Sequence, residues 1–200
     1  MYENFIKNYL EEVSLIADVL DGSQIQKAID IISQVKEIDG RLFILGVGGG
    51  SATASHAVND FRKICKIESY TPVDNVAELT AITNDEGWEY SFIDWLVVSK
   101  LSDKDAIIVF SVGGGNAEKK ISENLIHAIQ YAKICNSKVI AIVGKDGGYV
   151  GAHADSKILI PVINTELITP HTEEFGGVIL HLLVSHPTLK ENITKWESIK

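Results

Sequence analysis

Leu42-Phe43-Ile44-Leu45-Gly46-Val47-Gly48-Gly49-Gly50-Ser51, running on through Ala52-Thr53-Ala54-Ser55-His56 to Asp60, decides how the rest of the chain is read. Four apolar residues in a row suit a strand covered on both faces, as in a parallel sheet. The glycines after it permit positive φ and let a ligand approach the backbone closely. Ser51 is placed to N-cap a helix whose free N–H groups and dipole favour an anion. His56 and Asp60 are four apart, so they share one helix face just beyond that anion seat. Two plainer readings stand beside this one. Gly46-x-Gly48-x-x-Ser51 nearly matches a dinucleotide fingerprint, a weak signal alone, and a His/Asp pair at this spacing is most often a surface pair.

Composition narrows the classes. The 200 residues are 46% hydrophobic and 22% charged, which suits one ordinary globular domain (1–200) and not a disordered chain. A net charge of −9 argues against a nucleic-acid surface or an anionic membrane as partner. A local nest of N–H groups can still take an anionic small molecule. Cys65 and Cys135 form no CxxC pair, so a zinc ribbon or thioredoxin motif is excluded and both read as core residues. Met1-Tyr2-Glu3-Asn4-Phe5 has no signal-peptide core, and no apolar run approaches a membrane span. A cytoplasmic protein is expected.

Taken in order, the chain alternates helical and strand patterns. Phe5, Ile6, Tyr9, Leu10, Val13, Ile16, Ala17 and Leu20 keep helical spacing, and Ser23 is placed to cap a second helix through Val35. This N-terminal helical pair (1–39) carries an apolar stripe suited to oligomer packing. A helix from Ser51 to about Lys66 follows the first strand, then a short strand at Tyr70–Val73, a helix to about Thr83 and a polar Asn84-Asp85 loop. Another helix runs from Tyr90 to about Lys100. Ala106–Phe110 is a second buried strand, ending in Ser111-Val112-Gly113-Gly114-Gly115-Asn116 and a helix to about Cys135. Val139–Val143 is a third, followed by Gly144-Lys145-Asp146-Gly147-Gly148, and Lys157–Val162 is the last strand. A helix from about Pro170 to Ser185 precedes Pro187 and a charged tail.

The alternation predicts an α/β fold: a three-layer α-β-α sandwich around a five-stranded parallel sheet, flavodoxin-like, with ligands at the carboxyl ends of the strands. A dinucleotide site would use one glycine fingerprint and an acidic residue about twenty positions on, for which Glu68 and Asp74 are available. Two glycine turns after two buried strands instead suit one small phosphorylated ligand clasped from both sides.

Leu45-Gly46-Val47-Gly48-Gly49-Gly50-Ser51 together with Phe110-Ser111-Val112-Gly113-Gly114-Gly115-Asn116 resembles the SIS (sugar isomerase) domain. The chain is similar, along its whole length, to the phosphoheptose isomerase branch of that family. The resemblance implies an aldose–ketose isomerase that converts sedoheptulose 7-phosphate to D-glycero-D-manno-heptose 7-phosphate, working as a homotetramer with sites at subunit interfaces. It implies one Zn2+ per site, held by His56, Asp60, Glu173 and His181, with Glu174 as the runner-up for the third position. Asp60 then stands where the family has Glu, and Glu173 where it has Gln. Asp60 is the implied base and His181 its acid/base partner. Gly48, Gly49, Gly50, Ser51, Ser111, Gly113, Gly114, Gly115 and Asn116 are expected to hold the phosphate. Asn84 and Asp85 are expected to orient sugar hydroxyls, with His171 a secondary contact. The family's hydroxyl-rich Ser-Thr-Ser-Gly-Asn-Ser loop is altered at Ser111–Asn116. Two further readings stay open: a SIS protein that binds without catalysis, of the replication-initiator-associating type, and an isomerase of another sugar phosphate.

Overall fold

A computed structural model describes residues 2–199, so that Met1 and Lys200, the ends of the expected range 1–200, lie outside the described residues. The helices are α1 (Tyr2–Val19), α2 (Gly22–Glu37), α3 (Gly49–Lys63), α4 (Val76–Asp85), α5 (Ser91–Val98), α6 (Glu123–Ile134), α7 (Gly148–His153), α8 (Ile168–Ser185) and α9 (Lys195–Ser198). The strands are β1 (Leu42–Gly46), β2 (Ser69–Tyr70), β3 (Ala106–Ser111), β4 (Lys138–Val143) and β5 (Ser156–Leu159). They form one parallel sheet in the order β2-β1-β3-β4-β5. The order reverses between β1 and β3, the two strands that carry the first two glycine turns, and an open α/β sheet binds ligands at such a switch point.

Strand alternation sorts the core into two layers. Leu42, Ile44, Ala106, Ile108, Phe110, Ile140 and Ile142 point to the face covered by α2, α3 and α8. Phe43, Leu45, Ile107, Val109, Val139, Ala141 and Val143 point to the face covered by α5, α6 and α7. The parallel three-layer sandwich therefore matches the sequence reading. Cys65 is fully buried, and burial pushes its thiol up to about 11, so it is an inert core residue.

Several boundaries differ for local reasons. Asp21, not Ser23, caps α2: its carboxylate accepts from Ser23 N–H at 2.9 Å and ties up the Ser23 hydroxyl. The two N-terminal helices both reach the core, α1 through Ile16, but to different extents. Ile25, Ala28, Ile29 and Ile32 bury α2 in the core, whereas Phe5, Ile6, Leu10 and Leu15 of α1 are exposed. The helix after β3 starts at Glu123, because Asn116 and Ile121 close a small antiparallel bridge that holds the intervening residues in turns. Strand β5 stops at Leu159, two residues before Pro161, which has no N–H to donate to a ladder.

One buried ion pair locks the bottom of the sheet. Asp105, 2% exposed, accepts from the backbone and guanidinium of Arg41 and from the backbone and hydroxyl of Ser102. Burial alone would raise this carboxyl, but the hydrogen bonds from Arg41 and Ser102 outweigh it and hold it below the usual carboxylate range. Removing one partner of such a pair costs about 3 kcal/mol, so Asp105→Ala should lower the urea midpoint by a corresponding amount. Because the folded-state pKa is depressed, the carboxylate's contribution is complete above the unfolded pKa of about 4 and is lost as pH falls through the lower folded value. Urea titrations of the two proteins should therefore converge in acid.

Candidate active site

Helix α3 starts earlier than the sequence suggests. Gly48 is its N-cap with φ 61°, and Ser51 lies in the first turn, its hydroxyl donating to the Gly48 carbonyl at 2.7 Å. Gly50 and Ser51 N–H groups bond back to the Val47 and Gly48 carbonyls. Gly50 has no room for a side chain, since a Cβ there would lie 2.6 Å from the Phe110 carbonyl. That contact seats the α3 N-terminus directly on the end of β3. Beside it opens a cleft of about 250 Å³, bounded by Val47, Thr53, Phe110, Ser111, Ser122 and Glu173 among others.

Farther along α3 the expected pair is real and has a third member. Asp60 Oδ2 lies 3.2 Å from His56 Nε2 and 3.6 Å from His181 Nε2. The two imidazoles meet edge to face at 5.1 Å. Asp60 is buried while both histidines are about half exposed, and Asn59 donates to its other oxygen at 2.9 Å. The packing explains the meeting. Ala54, Ala57, Val58 and Phe61 of α3 and Phe175, Ile179, Leu180 and Leu183 of α8 share one core layer, so each helix turns its neighbouring polar face to the same seam. One ligand atom from each of His56, Asp60 and His181 lies within 4.8 Å of the others. Two imidazole nitrogens and a carboxylate oxygen at that spacing fit a zinc-type donor set that keeps an open position.

Glu173 is placed apart from this group. Its carboxylate lies against Gly49, within 2.6 Å of where a Cβ would stand, so it faces the cleft at the α3 N-terminus. Glu173 and His181 are eight residues apart on α8, about 12 Å along a helix, which is why one reaches the cleft and the other the histidine seam. Glu174 is exposed on α8 and likewise stands outside the group of three.

The second glycine turn is divided in its duties. Ser111 and Gly113 line the cleft. Gly114, Gly115 and Asn116, expected at the ligand, face the third glycine turn instead. The Gly114 and Gly115 carbonyls accept from Val150 and Tyr149, and a Cβ on Gly114 would meet the Gly147 carbonyl at 1.8 Å. Asn116 accepts from Lys119 N–H at 2.8 Å. Asn84 donates to Asp85 at 2.7 Å, both exposed at the end of α4 and outside the cleft lining. His171 is also turned elsewhere: it is buried, bonded through Nε2 to Glu12 at 2.8 Å and packed at a tilt against the Tyr9 ring of α1. That bond and one from Asn164 hold the Glu12 carboxyl below its ordinary value.

Thr53, Thr172 and Ser122 are cleft residues that the sequence reading passed over. Ser122 has a left-handed backbone and makes no capping bond, leaving its hydroxyl to the cleft. Ser122-Glu123 ahead of Leu125-Ile126 is a helix-start signature that could have revealed it.

The model of the SIS domain family matches residues 2–144. The chain belongs to that family. Within it, the chain is 33% identical to the phosphoheptose isomerase of Helicobacter hepaticus over 165 residues, covering 80% of this chain and 78% of the relative, which places it in that branch. It is 28% identical to the lincomycin biosynthesis protein LmbN of Streptomyces lincolnensis over 90% of this chain and 66% of that longer protein. Among solved structures, the phosphoheptose isomerase GmhA of Neisseria gonorrhoeae has the same fold, with a TM-score of 0.78 at 22% identity over 92% of this chain and 98% of the other.

Gly114 offers a test of how the cleft is walled. Its φ of +65° and the adjacent Gly147 carbonyl leave a side chain nowhere to go. Gly114→Ala should cost more than about 1 kcal/mol in thermal or denaturant unfolding, with loss of ligand-induced stabilisation by sugar phosphates.

Proposed function

We propose that this SIS-domain protein is an aldose–ketose isomerase of a seven-carbon sugar phosphate, interconverting sedoheptulose 7-phosphate and D-glycero-D-manno-heptose 7-phosphate. The observation that carries the reading is the convergence of His56, Asp60 and His181 in one cluster of potential metal ligands, two of them on the helix that seats the glycine turn. From Gly50 to His56 is about 9 Å along α3. An extended heptose phosphate has the length to bridge that span, with its phosphate at the glycine turns and its carbonyl end at the histidines.

In the ketose-to-aldose direction, Asp60 takes a proton from C1 and the electron pair becomes the C1–C2 double bond of an enediolate. Asp60 returns that proton to C2 to complete the aldose, while the hydroxyl proton passes from O1 to O2 with the other ring nitrogen of His181, Nδ1, as its carrier. Asn59, donating to Asp60, keeps the second carboxylate oxygen from wandering. A zinc ion held by His56, Asp60 and His181 would polarise the two sugar oxygens. Ser111 and Ser122 supply hydroxyls to the cleft in place of the altered loop, whereas the Thr53 and Thr172 hydroxyls donate to the Gly49 and Ile168 carbonyls and offer the cleft acceptor oxygens alone. Glu173 at Gly49 is close enough to the ligand path to contact a sugar hydroxyl.

A homotetramer in the cytoplasm with sites at subunit interfaces fits the exposed apolar residues of α1 and the family resemblance. His171, bonded to Glu12, ties that helix to the start of α8. Asn84 and Asp85, exposed at the end of α4, are then available to a neighbouring subunit's sugar. A second reading, an isomerase of another sugar phosphate, is favoured by the carboxylate at Glu173 and by a cleft with only Ser111 and Ser122 contributing serine hydroxyls.

Incubation with a panel of ketose phosphates, followed by NMR of the products, separates the two. Asp60→Asn and His181→Ala should each slow turnover by about 10²–10⁴-fold while leaving circular dichroism unchanged. Normal turnover in both variants would rule the assignment out.

A further inference from the structure

The chain beyond α8 reaches back to the histidine seam, and its anchoring is specific. Leu189 is fully buried in the core layer shared by α3 and α8. Glu191 and Asn192 N–H groups both donate to the Ile64 carbonyl at 3.0 Å, and the Asn192 side chain donates to the Lys63 carbonyl at 2.6 Å. These bonds satisfy carbonyls that the end of α3 leaves open. Lys36 of α2 fixes the same segment from the other side, at 3.2 Å from the Leu189 carbonyl and 2.7 Å from the Glu191 carboxylate. Five polar ties over four residues deliver Thr194, Trp196 and Glu197 to the hollow of about 410 Å³ that holds His56, Asp60 and His181.

Within that hollow Glu197 is a second carboxylate. The Thr194 hydroxyl donates to it and so orients it. It is not one of the three groups within ligand distance of one another. Both imidazoles present Nε2 to Asp60, so a metal at that point takes the Nε2 atoms and leaves the Nδ1–H groups as donors. Among the described residues neither Nδ1 has a hydrogen-bond partner within the chain. A metal-bound imidazole ordinarily donates its other N–H to a carboxylate, carbonyl or water, which fixes the ring and raises its basicity.

We propose that Glu197 is a positioning residue of this centre: the anchored segment after α8 brings its carboxylate to the hollow, where it accepts the Nδ1–H of a metal-bound imidazole. The inference rests on the metal reading of the site given above. Asp60 alone cannot do this work, since one of its oxygens faces both Nε2 atoms and the other is taken by Asn59.

The test is zinc affinity, measured on metal-stripped protein in competition with a chromogenic chelator. Four proteins are compared: the natural chain, Glu197→Gln, Glu197→Asp and a chain ending at Asn192, which keeps every anchoring bond. The expected result is a zinc affinity about 10-fold or more weaker in Glu197→Gln and in the shortened chain, with partial recovery in Glu197→Asp. Thermal unfolding of the metal-free proteins should be unchanged by the point substitutions. Affinities within about 2-fold of the natural chain in both Glu197→Gln and the shortened chain would overturn the role of Glu197 and leave the three-residue centre standing. Failure of the natural chain itself to bind zinc would overturn both.

Discussion

The closeness with which two helices approach the end of β3 governs the rest of the site. Gly50 places the first turn of α3 where a Cβ would be 2.6 Å from the Phe110 carbonyl, and Gly176 lets α8 pass over the Phe110 ring with a Cβ position at 3.4 Å. Both helices are thereby drawn onto one residue, and their separation farther along is no longer free. The apolar faces of α3 and α8 then interlock in one core layer, which brings Asp60 between His56 and His181. A larger residue at Gly50 would push α3 off the end of β3, and the seam is where the displacement would be felt. Packing at one end thus fixes chemistry at the other.

Charge in the site is arranged against the background of the chain. A protein of net charge −9 holds two carboxylates on the path between the glycine turn and the histidines. Asp60 has two imidazoles and an amide beside it. Glu173 has no such neighbours, lying against the backbone of Gly49 at the positive end of a helix dipole. A glutamine, the residue typical of the family, would bring no charge there. The carboxylate makes the cleft less welcoming to an anion close to Gly49 than on the side formed by Ser111, Gly113 and Ser122.

Most of the fold could be read from local patterns because its strands are apolar on both faces and its turns are marked by glycine. Leu42–Leu45, Ala106–Phe110 and Val139–Val143 are unambiguous in that sense, and all three sit inside the sheet. The His56–Asp60 pairing follows from helical spacing, whereas His181, inside an apolar run that alone suggests a core histidine, is singled out by the family resemblance. What escaped was set by tertiary contacts that leave no periodic trace. The destination of Glu173 depends on a helix passing a glycine, not on its spacing from His181. Gly114 and Gly115 look identical in sequence to ligand-binding glycines but are spent on docking the third turn, and Asn116 is spent on the bridge to Ile121 and on Lys119 N–H. His171 sits beside the cleft in sequence, yet Glu12, 159 residues away, claims it. Ser122 was hidden because a helix was expected where a bridge between Asn116 and Ile121 delays its start.

The sheet's outer strands are brief: β2 has two residues and β5 four. A border that short offers few open amides and carbonyls for another chain to zip onto, which guards a strongly apolar β layer from fibre-like stacking. Contact with other molecules is consequently left to helical surfaces, where side-chain shape and not main-chain bonding selects the companion.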